Sequence, residues 1–152
     1  MIYKYMKSQF IIAAFGFIFD EQNRILLGHR RDYDSWNLPG GTMEAGESPW
    51  ECVIREVKEE TGFEVEIIRL AGIYNKPEKN EICFSFICKI IGGQLTLNDE
   101  ADKIEYFDFK DIPDNTSQKQ VARIKDALGE KEMVFKNQVG KSSIELIKEG
   151  RL

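Results

Sequence analysis

Residues 48–62 read Ser-Pro-Trp-Glu-Cys-Val-Ile-Arg-Glu-Val-Lys-Glu-Glu-Thr-Gly and carry both the start and the stop of a helix. Ser48 is a good N-cap, Pro49 suits the first helical position, and Glu51 completes a Ser-x-x-Glu capping box. Gly62 falls where a left-handed residue closes a helix. The pattern predicts a helix over 49–61, and the rest of the chain must pack around it. On a helical wheel Trp50, Val53, Ile54 and Val57 share one side, the expected sheet-packing face. Glu56, Glu59 and Glu60 fall beside that stripe within an arc of roughly 100°. Like charges three and four residues apart repel by about a few tenths of a kcal/mol per pair. Arg55 and Lys58 offer one compensation, that of an ordinary solvated helix face. A hard divalent cation, which takes carboxylate oxygens, offers another.

The remaining elements place this helix in an α/β chain with a mixed sheet. Residues 9–19 and 24–28 read as strands joined by the polar turn 20–23, which predicts a hairpin. A charged loop, 29–35, leads to the extended Trp36-Asn37-Leu38-Pro39 and then Gly40-Gly41. Strand patterns follow at 64–74, 81–91 and 104–109. A second helix is expected from about 117 to 128, with Ser117-x-x-Gln120 as its capping box. Val121, Ile124 and Leu128 form its face and Gly129 its end. Residues 130–152 fit a strand, a short helix or a tail equally well, and offer a surface for pairing with a second copy. Strands interleaved with helices imply helices packed on a mixed sheet. A length of 152 residues suits one domain, 1–152.

Composition narrows the function classes. The net charge of −5 argues against a dedicated nucleic-acid binder, though not against a local basic cleft. Cys52, Cys83 and Cys88 lack metal-site spacing and read as reduced thiols of a cytoplasmic protein. The apolar run 10–19 is too short to span a bilayer. Lys4 and Lys7 precede it, as in a signal peptide, but 20–23 is polar and no small-residue cleavage site follows.

One longer pattern contains the helix. Gly41, five residues, Glu47, seven residues, then Arg55-Glu56-Val57-Lys58-Glu59-Glu60-Thr61-Gly62-Phe63 fits G-x5-E-x7-R-E-U-x-E-E-x-G-U at every position, with U apolar. Chance agreement is on the order of 10⁻⁹ per starting position. This resembles the complete Nudix box, and Trp36 to Gly40 looks like the family's lead-in. The resemblance implies an α/β/α sandwich that hydrolyses a nucleoside diphosphate linked to another group, with Mg²⁺ or Mn²⁺. It implies that Glu56, Glu59 and Glu60 are metal ligands, joined by the Gly40 carbonyl. Glu47 and Arg55 resemble the box's structural pair, and Gly41 and Gly62 its turn residues. The chemistry suits these residue types: cations neutralise the diphosphate and acidify a water, and a carboxylate takes its proton.

Outside the box, Glu100 is the leading candidate for the catalytic base, with Glu105, otherwise an exposed strand glutamate, as rival. Glu56 is itself a candidate base. Arg30 and Arg31 are candidates for forked phosphate contacts, set against a solvated basic loop beside Asp32 and Asp34. His29 reads as a loop residue, Trp36 as packing and Cys52 as a small filler. Pro77, fourteen residues past Phe63, shades the substrate towards ADP-ribose, a marker in the ADP-ribose pyrophosphatase branch. The expected activity is pyrophosphohydrolysis of a nucleotide sugar such as ADP-ribose, or of a nucleoside triphosphate. The rivals are a non-catalytic nucleotide-binding module and an RNA 5′ pyrophosphohydrolase.

Overall fold

The computed structural model describes residues 9–152, so Lys4 and Lys7 lie outside the described residues. The elements are β1 (Ile11–Ile18), β2 (Ile25–Arg30), β3 (Trp36–Asn37), β4 (Gly40–Thr42), α1 (Pro49–Thr61), β5 (Phe63–Lys76) and β6 (Glu81–Gly93). They continue with β7 (Ala101–Phe107), α2 (Gln118–Gly129), β8 (Val134–Asn137) and α3 (Ser143–Lys148). One sheet runs β4-β1-β6-β5-β8 and a second β3-β2-β7. β1 pairs parallel with β6 and antiparallel with β4, and β5 pairs antiparallel with β6, so the sheet is mixed as expected.

The expected hairpin is absent. β1 and β2 share only the bridge Phe19–Ile25 and then diverge into different sheets. Both strands are apolar on both faces: Ala13, Ala14, Phe17 and Ile18 are buried, as are Ile25, Leu26 and Leu27. Such strands belong inside a layered structure, not at its edge. Asp20 holds the turn, its Oδ1 accepting from the Gln22 and Arg24 N–H groups at 3.0 and 2.9 Å.

Alternation along β1 divides the core. Ala14 and Ile18 pack with Cys52, Val53 and Val57 of α1, while Phe17 packs with Leu27, Trp36 and Ile124 of α2. The helices therefore lie on opposite faces, giving the α/β/α layering.

The α1 bounds and caps follow the sequence. Ser48 and Glu51 exchange capping-box bonds, the Ser48 N–H reaching Glu51 at 2.7 Å and the Glu51 N–H reaching Ser48 Oγ at 3.2 Å. Gly62 closes the helix at φ 82°. The buried face differs from the expectation. Cys52, Val53, Val57 and Thr61 are buried, while Trp50 and Ile54 are exposed. The helix is rolled towards its carboxylate side because it seats over Gly16, where a Cβ would stand 3.2 Å from the Val53 and Val57 methyls. That roll carries Glu56 and Glu60 inward with the apolar stripe.

The second predicted capping box also fails. Ser117 is the N-cap of α2 but makes no side-chain cap bond. Gln120 is turned away, its Oε1 accepting the Leu38 N–H at 2.6 Å. The buried residues of α2 are Gln120, Arg123 and Ile124, whereas Leu128 is exposed. The strand expected at 104–109 is β7, which begins three residues earlier and gives way at Phe109 to a 3-10 turn.

Residues 130–152 form β8 and α3, laid against the rest of the fold. β8 pairs parallel with Gly72–Asn75 of β5. Lys136 meets Asp126 at 2.6 Å, Lys79 meets Glu145 at 3.0 Å, and Lys119 Nζ donates to the Gly140 carbonyl at 2.7 Å. Among the described residues no helix is long and apolar enough to cross a membrane.

Candidate active site

The loop into α1 is pressed between β1 and the helix. Phe15 pairs with Gly40, and Ala14 with Gly41. A Cβ on Gly40 would meet the Ala14 carbonyl at 2.3 Å, and one on Gly41 would meet Glu56 Oε1 at 2.6 Å. Only glycine allows this approach. It brings the Gly40 N–H within 3.1 Å of Glu60 Oε2.

Arg55 organises the outer side of the loop. Its Nε and Nη2 fork onto Glu47 at 3.0 and 2.7 Å. Its Nη1 reaches Glu56 at 3.0 Å and Glu59 at 3.2 Å. The guanidinium, aided by the Glu44 N–H, holds the Glu47 carboxyl down at about 2. The same carboxylates raise Arg55 further above its ordinary value.

A cavity of about 620 Å³ opens beside α1. Glu56, Glu60, Asp99 and Glu100 line its acidic end, and Phe15, Leu38, Gln120 and Ser143 line the part facing α2 and α3. Burial pushes the Glu60 carboxyl up to about 9; the Gly40 N–H opposes this, and the charges of Glu56 and Glu100 reinforce it. The structure thus brings Glu56, Glu60 and Glu100 to one cavity. Glu59 does not line it; its side chain is 56% exposed against 14% for Glu56. Glu105 is exposed on β7 and also does not line it.

This donor set fits a hard divalent cation in type and in charge. It offers carboxylate oxygens, and its negative charge is compensated at the outer edge by Arg55 but not around Glu60. Among the described residues no three His, Cys, Asp or Glu side chains are gathered closely enough to enclose an ion. Glu56 and Glu59 are turned to Arg55.

Arg30 and Arg31 both line the cavity. Arg30 is forked onto Asp32 at 2.7 and 2.6 Å and lies over the Tyr33 ring. Arg31 donates from Nε to the Asn98 carbonyl at 2.9 Å and from its N–H to the Glu100 carbonyl at 3.0 Å. Trp36 is packing, buried edge-on against Phe107 and His29. Cys52 is fully buried, and burial pushes its thiol up to about 12, which suits a filler.

His29 belongs to β2 rather than to the loop after it. Its Nδ1 stands 2.7 Å from Asp102 and its Nε2 2.9 Å from Asp34, so both ring nitrogens face carboxylates. The Asp34 hydrogen bond, with Asp102 behind it and burial opposing, raises its pKa above 6.5. His29 is the only histidine in the chain, so its proton NMR titration is expected to give one midpoint above 6.5. A raised pKa means the folded state holds the proton more tightly. This contribution to stability is present in full below 6.5 and is lost as pH rises through the folded midpoint. His29→Asn is expected to lack that part of the stability–pH curve, as measured by thermal melts.

Several cavity residues are not foretold by the sequence. Asn37 lines the cavity with its Nδ2 buried and unpartnered, and Phe15, Gln120 and Ser143 line it too. A polar residue within a helix or tail reads as solvated, so Gln120 and Ser143 carried no signal. Asn37 lies within the lead-in run and had one.

Comparison with known proteins places this arrangement. The family model for the NUDIX domain matches residues 9–128. An ADP-ribose pyrophosphatase of Methanocaldococcus jannaschii is 38% identical over 109 residues, 67% of this chain and 64% of that protein, so the match spans under two thirds of that relative. A MutT-like protein of Streptomyces ambofaciens is 32% identical over 117 residues, 77% of this chain and 76% of that protein. Among solved structures, an ADP-ribose pyrophosphatase from Streptococcus suis superposes with a TM-score of 0.71 at 26% identity, covering 86% of this chain and all of that one. With the box complete and the layered fold around it, the chain belongs to the Nudix hydrolase family.

Proposed function

We propose that this chain is a Mg²⁺- or Mn²⁺-dependent pyrophosphohydrolase acting on a small nucleotide, with ADP-ribose and its analogues as the first substrate class. The convergence of Glu56, Glu60 and Glu100 on one cavity carries the reading. In it, Glu56, Glu59 and Glu60 with the Gly40 carbonyl hold the cations, and Arg55 must release Glu59 to do so. When bound, such cations neutralise diphosphate charge and make a water easier to deprotonate. Glu100 or Glu56 accepts that proton. Arg31 and Arg30 face the phosphates, Arg30 by exchanging Asp32 for a phosphate oxygen. Glu47 and Arg55 hold the loop against the helix, with Gly41 and Gly62 making its turns.

The cavity extends past the carboxylates to Asn37 and Gln120, room for a nucleoside beyond the diphosphate. Ser143 lines it as well, so residues 130–152 belong to the same single catalytic domain in this reading. The names of two relatives favour ADP-ribose, and the MutT-like relative keeps nucleoside triphosphates as the second class. All three cysteines are free and buried, which supports a reducing, cytoplasmic setting.

The test is turnover of ADP-ribose, other nucleotide sugars and nucleoside triphosphates with Mg²⁺, with Mn²⁺ and with EDTA. ADP-ribose is expected to yield AMP and ribose 5-phosphate, with loss of turnover in EDTA. Turnover that persists in EDTA overturns the mechanism. Tight nucleotide binding with no turnover points instead to the binding-module reading, and release of pyrophosphate from triphosphorylated RNA to the RNA 5′-end reading.

A further inference from the structure

We propose that Asn98 is the positioning residue that sets Glu100 against the carboxylates of α1, an inference that rests on the function proposed above. Between the end of β6 at Gly93 and the start of β7 at Ala101, the chain has no ladder to hold it. It must nevertheless bring the Glu100 carboxylate onto the same cavity wall as the Glu56 carboxylate, a like charge that repels it. Asn98 supplies the restraint with both ends of its side chain. Its Oδ1 accepts from the Glu100 N–H at 2.7 Å and the Ala101 N–H at 3.0 Å, which folds the segment around Glu100. That half alone is an ordinary side-chain turn.

The other half is not local. The Asn98 Nδ2 donates to the Glu59 carbonyl at 3.2 Å and to the Glu60 carbonyl, 38 residues away in sequence. These carbonyls lie in the last turn of α1, where helix acceptors lack partners within the helix. One amide therefore ties the backbone of the α1 glutamates to the backbone of Glu100. Arg31, just past the end of β2, braces the same segment through the Asn98 and Glu100 carbonyls. Farther along, the Thr96 N–H reaches the Thr61 carbonyl at 2.8 Å. Glu100 thereby takes a fixed register on α1, on the cavity wall that Glu56 and Glu60 share.

The experiment compares Asn98→Asp, Asn98→Ala, Glu100→Gln and the double variants Asn98→Asp/Glu100→Gln and Asn98→Ala/Glu100→Gln. Aspartate keeps the acceptor that makes the turn and loses the donor that reaches α1. Both Asn98 variants are expected to lower kcat by about 10–100-fold, the range for groups that orient ligands. KM is expected to stay within about threefold, and the Asn98 effect to vanish in the Glu100→Gln background. The full loss persisting in that background, or Asn98→Asp behaving as wild type, overturns the proposal. Calorimetric Mn²⁺ titration gives a readout without turnover, with weaker binding expected in Asn98→Ala and in Glu100→Gln, because either change takes the Glu100 charge away from the cation site. If wild type hydrolyses no nucleotide, the function proposed above fails, and the Mn²⁺ titration alone decides Asn98. Unchanged Mn²⁺ affinity in Asn98→Ala then overturns it. Should Asn98→Ala fail to fold by circular dichroism, Asn98→Ser takes its place in both readouts.

Discussion

Glu60→Gln is expected to lower kcat by about a thousandfold while the protein stays folded. Lewis-acid stabilisation by bound metal is worth several kcal/mol, and about 4 kcal/mol corresponds to a factor of roughly 10³. Glu60 is the carboxylate most enclosed by the site, with the Gly40 N–H on one oxygen and Glu56 and Glu100 nearby. The same change is expected to stabilise the metal-free protein at alkaline pH. Burial pushes the folded Glu60 carboxyl well above its ordinary 4.5, so above that value the folded state holds a proton that the unfolded state has lost. Metal-free wild type therefore loses stability as pH rises from 4.5 towards about 9, and glutamine removes that loss. Melting temperatures in EDTA at pH 5 and pH 9 check the sign. Wild-type turnover in Glu60→Gln, or a melting curve with the opposite pH trend, contradicts the placement.

Arg55→Ala is expected to cost about 2–3 kcal/mol of stability, between the values for exposed and buried ion pairs. The position is intermediate: Arg55 is 24% exposed, and it forks onto Glu47, which is 15% exposed. Removing the guanidinium leaves Glu47, Glu56 and Glu59 without their shared partner. For a chain near 150 residues, the shift in melting temperature is about 4–12 °C. Arg55→Lys is expected to recover less than half of it, because an ammonium cannot reproduce the fork onto Glu47. Since Arg55 also touches two proposed cation ligands, kcat and the Mg²⁺ requirement should both worsen. A melting temperature within about 1 °C of wild type would contradict the role given to the fork.

These two residues differ in how far the sequence foretold them. Arg55 and Glu47 stood at their places in the box, and their pairing follows once the box is recognised. Glu60 was named as one of three equivalent glutamates, yet the three are not equivalent in space. The wheel placed Trp50 and Ile54 on the buried face, whereas α1 is rolled so that Cys52 and Thr61 are buried instead. Nothing within the helix decides that roll. It is set by Gly16 on β1 and by the loop at Gly40 and Gly41, whose missing side chains let α1 come close. Glu60 is half-buried against the cavity and Glu59 exposed as a consequence.

Gln120 shows the opposite error. Ser117-x-x-Gln120 satisfies a local rule, but Gln120 spends its oxygen on Leu38, 82 residues away. The hairpin expected from 9–19 and 24–28 fails for the same kind of reason, since β1 finds a better partner in β6.

What the sequence determined by itself is the part governed by neighbours within about four residues. That part comprises the bounds and caps of α1 and the carboxylate arc; the box, a fixed spacing along the chain from Gly41 to Phe63, is likewise legible without the fold. What only the tertiary structure decided is which carboxylate is enclosed, that Glu100 lines the same cavity as Glu56 and Glu60, and that Asn98 and Arg31 hydrogen-bond its backbone. Those outcomes depend on contacts between residues tens of positions apart, where strand pairing and helix roll choose the partners and no local pattern records the choice.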